Sequence, residues 1–171
     1  YKGELKKLGV FKFSKLAEIN QLDFKPVNLK NGIIFFDKKG SIIRYDNNQK
    51  VLWKKNYYSK SEKKLKPVLQ FANNGNLLVV ADNIAKYYAI NLSSGELLWS
   101  KNNLAPFNSQ IKIYENKFFI VDFSNTLRCF SLENGEELWN IKTENSLIRP
   151  QKKLSMIIVN ERLYFNNSIG D

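Results

Sequence analysis

Short apolar runs, each closed by an acid or amide, recur along this chain: Ile33 to Phe36 before Asp37, Leu77 to Ala81 before Asp82, Phe118 to Val121 before Asp122, and Leu163 to Phe165 before Asn167. The run Leu77-Leu78-Val79-Val80-Ala81 has no polar alternation, which predicts a strand covered on both faces by neighbouring sheets. Nine residues after the first three closures stand Asp46, Asn91 and Ser131, and seven or eight residues later come Trp53, Trp99 and Trp139. The tryptophans lie 46 and 40 positions apart. Self-similarity at that period marks stacked supersecondary units, none of which can bury its apolar faces alone.

The clearest unit, residues 67–101, resolves into four predicted strands. Pro67 to Phe71 is a short β-favouring run ended by the turn signal Asn73-Asn74-Gly75; Leu77–Ala81, Lys86–Ile90 and Glu96–Ser100 follow, separated by Asp82–Ala85 and Asn91–Gly95. Four antiparallel strands joined by tight turns make one propeller blade. The fold class expected is therefore all-β: a β-propeller of four-stranded antiparallel blades, about three and a half of them, at 25–56, 67–101, 107–142 and 154–171. Residues 1–24 read as a preceding blade or a linker. Since propellers have about four to eight blades, the chain reads as a single incomplete domain, part of a longer protein with a ring of seven or eight blades.

Turn chemistry agrees between copies. Three residues past each closure sit Gly40, Ala85, Asn125 and Gly170, and three of the four tolerate the positive φ that a hairpin turn demands. Gly95 and Gly135 serve the second turn. In the first copy that turn is a residue shorter, and Asn47 or Asn48 is expected to supply the left-handed position. Asp37, Asp82 and Asp122 are equivalent residues, read as turn caps; a calcium site would need six to eight oxygens converging on one point, whereas separate blades diverge.

The segment Ala89-Ile90-Asn91-Leu92-Ser93-Ser94-Gly95-Glu96-Leu97-Leu98-Trp99 resembles the eleven-residue signature of PQQ-type propeller repeats. Cys129 to Trp139 repeats it in register with Ser131 and Gly135, and Arg44 to Trp53 is a shorter copy, so the resemblance covers residues 31–171. It implies that Trp53, Trp99 and Trp139 dock between adjacent blades. Two branches of the family differ in chemistry. Quinoprotein dehydrogenases hold pyrroloquinoline quinone and Ca²⁺ on the propeller axis beneath a vicinal disulfide. Non-enzymatic scaffolds, such as the propeller lipoproteins of the outer-membrane β-barrel assembly machinery, hold no cofactor. The short turns here are similar to the second branch. That resemblance implies no enzymatic activity and no cofactor. It also implies protein partners among outer-membrane assembly components, and a place in the periplasm or on the periplasmic side of the outer membrane, with membrane contact only through an anchor upstream. The alternative is a piece of a quinoprotein dehydrogenase whose cofactor residues lie elsewhere.

Candidate chemistry narrows the choice further. The chain has no histidine, which removes His-based triads and the commonest metal ligand from this segment. Its one cysteine, Cys129, falls mid-strand where the neighbouring copy has Ala89, the place of a small buried hydrophobe rather than a nucleophile. Glu96, Glu133, Glu136 and Glu137 fall in or beside the second turns and read as solvated. Net charge is +11, yet only Arg44, Arg128, Arg149 and Arg162 are arginines, and nucleic-acid recognition favours Arg over Lys. Nucleic acid is not expected as a partner. Spacing varies only between blades, so insertions fall in loops on one face, where repeat proteins place binding surfaces. The loop Lys54–Lys66 carries Lys60, Lys63, Lys64 and Lys66: a solvated loop, or a contact for an acidic partner.

Overall fold

A computed structural model describes residues 27–37, 40–142 and 154–166; the expectations for residues 1–24, Asn167 and Gly170 lie outside the described residues. The first sheet is formed by β1 (Val27–Leu29), β2 (Gly32–Phe36), β3 (Ser41–Tyr45) and β4 (Val51–Asn56), followed by a helical turn, α1 (Lys60–Lys64). The second comprises β5 (Leu69–Asn73), β6 (Leu77–Asp82), β7 (Lys86–Asn91) and β8 (Leu97–Asn102). The third comprises β9 (Lys112–Tyr114), β10 (Lys117–Val121), β11 (Thr126–Ser131) and β12 (Glu137–Lys142), and a two-stranded fourth has β13 (Ser155–Val159) and β14 (Arg162–Asn166). Every sheet is an antiparallel meander with strands paired in chain order. The first strands β5, β9 and β13 lie beside one another, so successive sheets converge on an axis as propeller blades do.

Burial on both faces follows from the two-residue period of a strand. In β6, Leu78 and Val80 enter the core shared with the first sheet, while Val79 and Ala81 enter the core shared with the third. β7 divides likewise into Tyr88 and Ile90 against Tyr87 and Ala89. In β10, Phe118 and Ile120 face back while Phe119 and Val121 face Leu154 and Met156. Each inter-sheet core is thus built from alternate residues of one unbroken apolar run, and for that reason the runs show no polar alternation.

The tryptophans occupy one register position. Arg44 opposes Trp53, Ala89 opposes Trp99, and Cys129 opposes Trp139, with a bulge immediately after each first-named residue. A bulge increases local twist and re-aims the side chains beside it. The turn before each bulge closes through a left-handed residue, Gly95 (φ +70°) and Gly135 (φ +69°) in the second and third sheets. In the first sheet this residue is Gln49 (φ +65°), not Asn47 or Asn48. The left-handed residue is always the last of the turn. Gln49 donates its N–H to the Asp46 carbonyl as Gly95 does to Asn91, so the count runs back from the bulge rather than forward from the cap. The first-turn expectation extends to the exception: Gly40, Ala85 and Asn125 have φ of +78°, +70° and +55°.

Candidate functional site

The repeated side chains fasten one sheet to the next. Trp53 is only 8% exposed, and its indole N–H donates to the Leu92 carbonyl of the second sheet at 3.2 Å. Trp99 reaches Leu132 of the third sheet in the same way at 3.1 Å and stacks on Phe118. Each indole lies against the glycine of the receiving turn. A Cβ at Gly95 would sit 2.8 Å from Trp53 Cδ2, and one at Gly135 would sit 2.6 Å from Trp99 Cε3 and Cζ3. These glycines therefore meet two demands at once, a left-handed backbone and a bare surface. Trp139 differs: it is 40% exposed and its ring meets Phe119 of its own sheet. The turn that would stand in the receiving place, beyond Asn166, lies outside the described residues.

The three aspartates are spent on their turns. Asp37 Oδ1 accepts from Ser41 N at 2.9 Å. Asp82 Oδ1 accepts from Ile84 N and Lys86 N, both at 2.9 Å, and Asp122 Oδ1 from Ser124 N and Thr126 N. The second oxygens of Asp82 and Asp122 point elsewhere. Asp82 Oδ2 accepts the Tyr58 hydroxyl across the junction, whereas Asp122 Oδ2 accepts Arg128 Nε at 2.7 Å. Arg128 also pairs with Glu137 at 2.5 Å, so Glu137, exposed as expected, is held by an ion pair at the start of β12. Burial works against the Arg128 charge, but the hydrogen bonds and charges of the two carboxylates outweigh it and raise its pKa. Among the described residues no cluster of His, Cys, Asp or Glu could hold a metal ion.

Between the first and second sheets the polar groups form a buried set. Tyr58 lies inside, in edge contact with the fully buried Tyr88. Burial pushes the Asp82 carboxyl upward despite its hydrogen bonds, and lifts the Tyr58 phenol far above its ordinary value, helped by Tyr88 and Asp82. Lys86 closes the set from outside: its Nζ donates to the Tyr57 carbonyl at 2.7 Å, pairs with Glu62 at 3.0 Å, and stands over the Tyr58 ring. Burial raises the Glu62 carboxyl, but hydrogen bonds from Ser59 and Lys86 prevail and hold it below its usual value.

The lysine-bearing segment is not an irregular loop. Lys54 and Lys55 belong to β4, and Lys60, Lys63 and Lys64 lie on α1 behind a capping box. Glu62 N donates to Ser59 Oγ, while Ser59 N donates to Glu62 Oε2 at 2.6 Å. The spacing Ser59-x-x-Glu62 is the sequence signal for such a turn, although five residues are too few to show helical periodicity. Lys66 follows with φ +53°. Leu65 beside it is 62% exposed, and in the next crossover Leu104 is 97% exposed.

Comparison with known proteins agrees with this geometry. The family profile described as outer membrane protein assembly factor BamB matches residues 38–171. No curated protein matches the chain in sequence. Among solved structures, BamB from Moraxella catarrhalis superposes with a TM-score of 0.60 at 17% identity, over 74% of this chain and 37% of that one. This chain therefore spans well under half of that BamB. The computationally designed Ika4 protein gives 0.67 at 14% identity, covering 91% of both chains. Quinohemoprotein alcohol dehydrogenase from Comamonas testosteroni gives 0.55 at 13% identity, over 68% of this chain and 20% of the enzyme. At these identities the likeness concerns the fold alone.

Proposed function

Because the chain belongs to the outer membrane protein assembly factor BamB family, we propose that it is a non-catalytic propeller scaffold of the cell envelope, holding protein partners in outer-membrane protein assembly through its inter-blade loops. The observation that carries this reading is the use made of the repeated polar groups. Both oxygens of Asp82 and of Asp122 are engaged in turn closure and in bonds to Tyr58 or Arg128, and the indole N–H groups of Trp53 and Trp99 fasten neighbouring sheets. The repeat's own chemistry is consumed in building the ring. What remains for partners is the variable crossovers, Lys60, Lys63, Lys64 and Lys66 among them. Residence in the periplasm or on the periplasmic side of the outer membrane is part of the same proposal.

Two measurements on the full-length protein test it. Photo-crosslinking residues placed at exposed turn positions at both ends of the sheets should give discrete adducts with envelope proteins of the assembly machinery in living cells. The same protein, incubated with pyrroloquinoline quinone and Ca²⁺, should show neither quinone absorbance nor dye-linked alcohol oxidation. Sustained turnover in that assay would replace the scaffold with a quinoprotein dehydrogenase.

A further inference from the structure

We propose that one end of the propeller, where the chain crosses from sheet to sheet, docks an acidic segment of a partner protein that also carries apolar side chains; this rests on the scaffold reading above and gives its partner a chemistry. The observation is a sorting of charge between the two ends of the sheets. In each four-stranded meander the turn between second and third strands lies at the crossover end, and the other two turns lie at the opposite end. Hydrogen bonds from backbone N–H groups join the crossover-end pieces into one surface. Val68 N donates to Asn83 Oδ1 at 2.6 Å, Asn103 N to the Ala85 carbonyl at 2.7 Å, and Phe123 N to the Pro106 carbonyl at 2.8 Å.

Among the described residues, every carboxylate at the crossover end is buried or paired: Asp37, Asp82 and Asp122 are buried, and Glu62 is held by Lys86. The remaining turn acids, Asp46, Glu96, Glu115, Glu133, Glu136 and Glu161, stand at the opposite end. Lys60, Lys64 and Lys66 are exposed and Lys63 half-buried at the crossover end, and none forms an ion pair within the described residues. Exposed apolar side chains share the surface: Leu65, Leu104 and Phe123, the last 37% exposed. Uncompensated ammonium groups attract and orient an acidic partner, and apolar anchors among them supply the burial that holds it.

The same lysines and leucines could meet an anionic bilayer, but the surface favours a peptide. Exposed Asn83 and Ser124 lie between the apolar points, and these polar groups can bond a peptide backbone yet would be costly to sink among acyl chains. A second copy is disfavoured by the +11 charge that each chain carries.

The test is a fluorescence anisotropy titration of the full-length protein with a short labelled peptide of alternating Glu and Leu, beside a Glu–Ser peptide and phosphatidylglycerol vesicles. The Glu–Leu peptide should bind the more tightly of the two peptides, and its affinity should fall as salt rises from about 50 to 300 mM. The Lys60→Glu/Lys64→Glu variant and Leu104→Ser, each checked for native circular dichroism, should each weaken it by about tenfold or more. Glu96→Lys/Glu133→Lys at the opposite end should leave it unchanged. Equal binding of the Glu–Ser peptide, indifference to the crossover-end variants, vesicle binding that those variants abolish while the peptide does not bind, or self-association relieved by them would each overturn the proposal. If partner crosslinks persist undiminished in Lys60→Glu/Lys64→Glu, the scaffold survives and this surface fails; if crosslinks never form, the scaffold itself fails.

Discussion

Replacing Gly135 with alanine should loosen the junction between the second and third sheets far more than the backbone conformation requires. At φ +69° an alanine costs about 1–2 kcal/mol relative to glycine. Its Cβ would also stand 2.6 Å from two carbons of the Trp99 indole, where ordinary contact begins near 3.4 Å, so the ring must retreat by close to an ångström. That movement draws the indole N–H away from the Leu132 carbonyl, now 3.1 Å distant, forfeiting about 0.5–1.5 kcal/mol. It also disturbs the stacking on Phe118, worth about 0.5–1.5 kcal/mol. The total is about 2–5 kcal/mol. The fold supplies its own control in Ala85, an alanine held at φ +70° in a turn other than those on which Trp53 and Trp99 dock. Ala85→Gly reports the backbone contribution at nearly the same angle and should stabilise by about 1–2 kcal/mol. Urea denaturation followed by far-ultraviolet circular dichroism gives both values, and a cycle with Trp99→Ala separates them, the coupling expected at about 1–3 kcal/mol. If Gly135→Ala costs no more than the reverse of Ala85→Gly, or costs the same once Trp99 is removed, the glycine is not the seat of the tryptophan.

Trp99→Ala alone should destabilise by about 3–5 kcal/mol through the cavity left against Phe118, Gly135 and Leu132, whereas a loss below about 1 kcal/mol would contradict the docking. Because burial lifts the Asp82 carboxyl above its ordinary value of 3.8, the folded state binds a proton that the unfolded state has released, and stability falls as pH rises from 3.8 through the folded value. Asp82→Asn should remove that component from the pH profile of denaturation midpoints, and Tyr58→Phe, which takes away a hydrogen bond to the carboxylate, should enlarge it. Ser59→Ala breaks the capping box and should cost about 0.5–2 kcal/mol, seen as faster amide exchange confined to residues 60–65. Burial pushes the Cys129 thiol upward in pKa, so a thiol reagent at neutral pH should modify it only as fast as the third sheet opens, and Cys129→Ala should be tolerated as Ala89 is in the neighbouring sheet.

Much of this architecture is local, and local features are written plainly in a sequence. An unbroken apolar run such as Leu77–Ala81 states that both strand faces are covered, and its recurrence with Asp, Asn or Gly at fixed intervals states where the chain must turn. The two-residue side-chain period and the few backbone angles open to each residue type suffice for that. Which groups meet across a junction is another matter. That Tyr58 enters the core to reach Asp82, that Arg128 bridges Asp122 and Glu137, and that Gly135 is bare because Trp99 rests on it depend on how one sheet is rotated against the next. Nor could spacing reveal that Val68, Asn103 and Phe123 bond to Asn83, Ala85 and Pro106 and so join crossovers and turns into one surface. That surface exists only once the folded strands bring separate crossovers and turns to the same end of the sheets.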